Sequence, residues 1–260
     1  MDFTTEILLP TYSLWMRELI RFFRQRSRMI GVIGSPILFW FFIGSGLGSS
    51  FRMSSPKGDA SYLEYFFPGT LLLIMLFTAI FSTISIIEDR KEGFLQSVMV
   101  APISSAGIAL GKIFGGSTLA VIQALIFLAF APLIGFQFSI LGFFSLIVLL
   151  SFIAFGLTGL GFLIAWRMES TQGFHAIMNL FLIPLWLLSG SLFPMEGAPG
   201  WLRGAMSINP LTYSVSATRL MLYHQARVEG SGFIFSLCVI LTFCAAVFIG
   251  SMFSVRKKPL

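Results

Sequence analysis

The residues best suited to chemistry lie in one stretch, Glu88-Asp89-Arg90-Lys91-Glu92-Gly93. Five successive charges stand there between charge-free runs, Tyr65 to Ile87 before and Ile113 to Trp166 after. A bilayer interior would not tolerate such a cluster, so the chemistry it implies is ionic docking by something outside the membrane. Covalent chemistry finds no support. No HExxH, paired-cysteine or GxSxG pattern occurs. Gly107 to Lys112 imitates a phosphate loop, but has three residues where a Walker A has four, and Ile113 where a magnesium-binding hydroxyl belongs. Gly107, Gly111 and Gly115 instead have the four-residue period of close helix packing. The reading is therefore no catalytic residue, no metal site and no cofactor bound by this chain.

Composition sets the class. The chain is 56% hydrophobic and only 11% charged, where soluble domains carry roughly 25% charged residues. That implies a single all-α membrane domain over 1–260. The net charge of +6 comes from basic residues at the ends of apolar runs, which orients a membrane protein and argues against a nucleic-acid partner. Cys238 and Cys244 lie six apart in the last apolar run, where a thiol acts as a small hydrophobe.

Taken in order, residues 11–28 form an amphipathic helix at the membrane interface. Tyr12, Trp15, Leu19, Phe22 and Phe23 gather on one side, and Arg17, Arg21, Arg24 and Arg28 on the other, toward lipid phosphates. The first span covers 29–48, whose 20 residues reach about 30 Å. A polar loop with a turn at Pro56-Lys57-Gly58-Asp59 follows, then a span at 66–87 and the charged loop 88–112. The long uncharged run divides near Pro132 and Gly135 into spans 113–134 and 142–165. The fifth is placed at 173–193 and the sixth at 230–255. Between them, 196–229 is apolar but broken: its longest uncharged stretch, Gly204 to Thr218, is only 15 residues, too short to cross, and is cut by Asn209-Pro210, so a re-entrant outer segment is expected.

With the N-terminus inside, twelve basic residues fall on the cytoplasmic side and five outside (Arg52, Lys57, Arg203, Arg219, Arg227). Both termini and the Glu88 loop are thereby expected in the cytoplasm. His175 and His224 then lie on opposite sides and cannot share a metal. No Asp, Glu, Lys or Arg falls near the centre of any of the six spans, so a proton- or sodium-driven carrier lacks its usual coupling residue. The energy source is expected in another polypeptide.

Two motifs carry a family resemblance over nearly the whole chain. The first runs from Glu88-Asp89-Arg90-Lys91-Glu92-Gly93-Phe94-Leu95 to Ala101-Pro102-Ile103-Ser104 and on to Gly111-Lys112. The second is Ser189-Gly190 with Phe193-Pro194, Pro199-Gly200-Trp201-Leu202 and Asn209-Pro210-Leu211-Thr212-Tyr213. In this order they resemble the permease subunits of ABC-2 type transporters, including drug-resistance, lipo-oligosaccharide and polysaccharide exporters. Gly93-Phe94 departs from the usual form, in which a small hydroxyl residue follows the glycine.

The resemblance implies export of an amphiphilic or lipid-linked substrate from a bacterial inner membrane. It implies two cytoplasmic ATPase subunits carrying ATP and magnesium, and a second permease copy, forming a homodimer. It places a coupling helix after span two, with Glu88, Arg90, Glu92, Gly93, Phe94, Leu95, Val98, Met99 and Pro102 in contact with the ATPase. It places Pro199, Trp201, Asn209, Pro210 and Tyr213 in outer re-entrant helices that cap the transport path. The alternatives are an ATP-independent channel or carrier and a non-transporting membrane scaffold.

Overall fold

A computed structural model of the chain describes residues 4–24, 34, 37–38, 40–46, 53–55, 58–60, 62–223 and 230–256. The elements used below are α1 (Leu9–Arg24), β1 (Met53–Ser55), β2 (Gly58–Ala60), α2 (Tyr62–Ser82), α3 (Ile84–Lys91), α4 (Phe94–Val100), α5 (Ser105–Leu128), α6 (Ile140–Arg167), α7 (Thr171–Leu187), α8 (Gly200–Ile208), α9 (Pro210–Leu222) and α10 (Gly230–Arg256). Residues 40–46 are also helical.

Among the described residues, four helical stretches are long and apolar enough to cross a membrane: Tyr62–Lys91, Ser105–Leu128, Ile140–Arg167 and Gly232–Val255. The chain is therefore an integral membrane protein. Half of the span expected at 29–48 lies outside the described residues. The one expected at 173–193 is the 17-residue α7, about 25 Å long, which stops at Leu187. The polar loop before α2 holds a small antiparallel hairpin pairing Met53 with Ala60 and Ser55 with Gly58, so the fold is nearly, not wholly, helical.

Local chemistry sets the helix starts. Ser104, Ser139 and Ser170 each accept a hydrogen bond from a glycine N–H three residues on, at Gly107, Gly142 and Gly173. The first of these caps starts α5 eight residues before the expected span. It takes Lys112 out of the loop and into a helix. On the other side of the charged loop, α2 and α3 form one rod broken only at Thr83, about 45 Å long. Its first part is the centre of the molecule: Phe66, Phe67, Leu71, Leu72, Ile74, Met75 and Leu76 are fully buried. At the periphery, only 22% of the apolar window of α10 is covered, against 83% for α2.

The glycine series on α5 is a groove for α1. A Cβ at Gly111 would stand 2.6 Å from Leu14 Cβ, one at Gly115 2.6 Å from Glu18 Cβ, and one at Gly107 3.1 Å from Glu6 O. Trp15 Nε1 donates to Thr118 Oγ1 (3.0 Å) and Thr11 Oγ1 to Gly107 O (3.3 Å), fixing the register. Leu14, Glu18 and Phe22 form the buried stripe. Leu9, Tyr12, Met16, Ile20 and Phe23 remain exposed. The expected aromatic face is thus divided, since Phe22 packs inward while Tyr12 and Phe23 point away.

This close approach predicts that Gly115→Val forces α1 off α5, costing about 1–3 kcal/mol in denaturant or thermal unfolding. Gly204→Ala, where nothing lies within 4 Å, should leave stability unchanged or slightly raised.

Candidate functional site

Pressing α1 into the glycine groove brings Glu18 beside Lys112, and α3 brings Asp89 to the same point. Asp89 is fully buried, Lys112 is 4% exposed and Glu18 5%. Lys112 Nζ donates to Glu18 Oε1 (2.5 Å), to Asp89 Oδ2 and to Ser85 Oγ (3.4 Å). Arg17 grips Asp89 with both ends of its fork, Nη1 to Oδ2 and Nη2 to Oδ1, each at 2.7 Å. Arg21 spans two carboxylates, donating to Asp89 Oδ1 and Glu88 Oε2 at 2.7 Å each. Three cations (Arg17, Arg21, Lys112) therefore pair with Glu18, Glu88 and Asp89 at hydrogen-bonding distance, and a fourth carboxylate, Glu92, lies 3.7 Å from Arg21.

The bond count explains how such charges survive burial. Isolated, each would cost several kcal/mol, which only close partners and filled lone pairs offset. Asp89 accepts four charge-assisted hydrogen bonds. Burial disfavours the Arg17 charge, but the hydrogen bond and attraction of Asp89 outweigh it and hold the guanidinium above its ordinary pKa. The Arg17 guanidinium also lies 3.8 Å from the centre of the Phe94 ring. One side chain thus ties α1 to the end of α3 and the start of α4.

Gly93 makes that geometry possible. It has φ of 75° between α3 and α4, a left-handed turn that a side chain would strain. The turn aims α4 so that Leu95 is buried while Phe94, Val98 and Met99 pack partly against the core. Lys91, Glu92, Gln96, Ser97, Val100, Ala101 and Pro102 face outward, Val100 at 87% exposure. Arg90 turns inward, donating to Trp166 O (2.6 Å) and Met168 O (2.9 Å) at the end of α6.

Several site expectations change with this geometry. Arg17 and Arg21 do not point away from the protein toward lipid phosphates. They are drawn inward by Asp89 and Glu88, and only Arg24 of the described arginines on α1 is exposed. Arg28 lies outside the described residues. Glu18, Asp89 and Lys112, the centre of the network, were not among the expected site residues. Their signal was present as polar positions Thr78, Ser82, Ser85 and Asp89, spaced four, three and four apart along one side of the α2–α3 rod.

The broken segment that follows α7 lies at the other end of that rod. Pro199 precedes α8, and Trp201 is 76% exposed. Asn209 caps α9, accepting from Leu211 N (3.0 Å), and Pro210 occupies its first turn. The Asn209 amide reaches Leu185 O on α7 (2.6 Å), Thr212 Oγ1 donates to Leu188 O (3.2 Å), and Tyr213 OH donates to Ser207 O (2.7 Å). These residues are joined into one folded-back unit. No cluster of three or more metal-ligating side chains occurs among the described residues.

Removing one member of a buried network strands the others. Lys112→Met should cost about 3–5 kcal/mol in unfolding measurements. Lys112→Met with Glu18→Leu should recover most of that, because Asp89 keeps Arg17 and Arg21.

The sequence profile of the ABC-2 type transporter family matches residues 10–223. The chain is 28% identical over 227 residues to a protein of Cyanophora paradoxa named as a transport permease, covering 85% of this chain and 76% of that one. It is 23% identical to nodulation protein J of Rhizobium leguminosarum over 87% of this chain and 86% of the relative. With a linearmycin resistance permease protein of Bacillus subtilis it shares 25% identity over 72% of this chain and 48% of the relative. The matched region takes in the glycine groove, the charged network and the folded-back segment, and this chain belongs to the ABC-2 type transporter family.

Proposed function

We propose that the chain is the permease subunit of an ATP-driven exporter, moved by a separate ATPase that docks on the outward side of α4. The observation that carries this reading is the Asp89 network. A docking patch must be backed by something stiff if force is to reach the spans. Behind this patch stand Arg17 on α1, Asp89 at the end of the α2–α3 rod and Lys112 in α5, joined by short charged bonds. A displacement of α4 therefore moves three helices together instead of deforming a loop. Lys91, Glu92, Gln96, Val100 and Pro102 form the contact surface, while Leu95 and Phe94 hold α4 from within.

In this reading both termini are cytoplasmic and the membrane is the bacterial inner one. Two ATPase subunits with ATP and magnesium serve two copies of this chain. The exposed apolar side of α1 lies in the interfacial region of the bilayer, with Arg24 toward the headgroups. The cargo proposed is amphiphilic or lipid-linked; relatives are named for linearmycin resistance and for nodulation.

The test is reconstitution with the ATPase that co-purifies. Val100→Cys should cross-link to that subunit. Gly93→Val should insert normally and permit ATP hydrolysis, yet lower export per ATP by about tenfold or more, because the strained turn misaims α4. A chain that brings down no ATPase, or a Gly93→Val variant with unchanged export per ATP, would sink the assignment.

A further inference from the structure

The break after α7 creates a problem that the fold solves with several side-chain donors, one of them a charged arginine. Carbonyls beyond Leu187 lose their helical partners, and at membrane depth each needs another donor. Gly190, with φ of 77°, turns its carbonyl to a point that Tyr65 and Arg219 both reach. Tyr65 OH donates to Gly190 O at 3.0 Å and Arg219 Nη2 at 3.1 Å. The guanidinium also lies 4.2 Å from the centre of the Tyr65 ring, an attraction that strengthens where water is excluded. Close by, Tyr62 OH holds Leu192 O (3.2 Å), and Ser191 packs so tightly on α2 that a Cβ at Gly69 would stand 2.5 Å from Ser191 Cβ. One carbonyl thus joins the start of α2, the linker after α7, and α9.

We propose that Arg219 is a latch: a positioning residue that holds linker 188–192 closed on α2 and frees it by withdrawing. Among the described residues, its donors are the only charged ones on that carbonyl. The buried Arg219 Nε has no hydrogen-bond partner, so the closed position is not fully satisfied and departure is correspondingly cheaper. The latch lies some 24 residues along the rod from Asp89, about 36 Å, at the end opposite the docking patch. That the linker closes the outlet of a transport path rests on the exporter reading. The latch itself does not.

The experiment needs neither nucleotide nor cargo, so it stands or falls apart from export. In a Cys238→Ser/Cys244→Ser background, Ser191→Cys places a thiol at a position with no exposed surface. Its rate of labelling by a charged, water-soluble maleimide is read on the purified full chain. Arg219→Met should speed labelling about tenfold or more, the factor expected when a charged hydrogen bond is lost. Tyr65→Phe should give a smaller rise, and Arg219→Lys should stay near the parent rate. Ala154→Cys, buried in α6, is the control and should not change. An equal rise at both positions would make Arg219 a general stabiliser and overturn the latch. So would parent rates in folded Arg219→Met. If Arg219→Met fails to fold, Tyr65→Phe decides by the same criterion: a rise at Ser191→Cys alone supports the latch, and no rise overturns it.

Discussion

A carboxylate with no exposed surface, Asp89, sets the terms for the rest of this structure. Buried alone it would not remain charged, so its position obliges Lys112, Arg17 and Arg21 to converge on it. That convergence requires α1 to lie against α5, which in turn requires glycine at 107, 111 and 115. It also requires the turn at Gly93, without which Phe94 would not meet Arg17. A short run of charges thereby governs the packing of helices far apart in sequence.

Full charges stand only at the two ends of the α2–α3 rod, with a neutral Thr78–Gln123 hydrogen bond between them, and the physics of the two ends differs. At the Asp89 end, opposite charges interleave and are held by charge-assisted hydrogen bonds, two of them from the Arg17 fork to Asp89, which makes a stiff junction. At the Tyr65 end, side chains satisfy the broken backbone after α7 one bond at a time, and two buried donors on α9, Thr218 Oγ1 and Arg219 Nε, find no hydrogen-bond partner among the described residues. Between them Phe66 to Leu76 form a close-packed apolar body, which transmits displacement instead of absorbing it. Stiffness at one end and separable single bonds at the other suit the proposed exporter, driven from one side and opening on the other.

Apolar run lengths made four of the spans readable before any coordinates, because the cost of a charge in lipid writes itself into composition. The Asn209-Pro210 break after α8 was equally legible, since proline cannot continue a helix. The start of α5 was not. Lys112 looks like the end of a loop to any reading that counts charges, and only its partners reveal a helix running through it. The end of α7 was missed for the complementary reason. The run stays apolar to Phe193, and the helix stops at Leu187 because Tyr62, Tyr65, Thr212 and Asn209 reward the broken chain with donors.

Sequence by itself determined that this is a membrane protein with charges gathered at helix ends, and that a charged turn after the second apolar run must meet something outside the bilayer. It also carried the family resemblance, since motif order survives as a linear pattern. Tertiary structure decided which charges matter. Arg17 and Arg21 follow the same helical period as Arg24, and periodicity cannot tell a guanidinium facing lipid from one facing a carboxylate. The difference lies in Asp89, some seventy residues away in the chain and brought within 2.7 Å by folding.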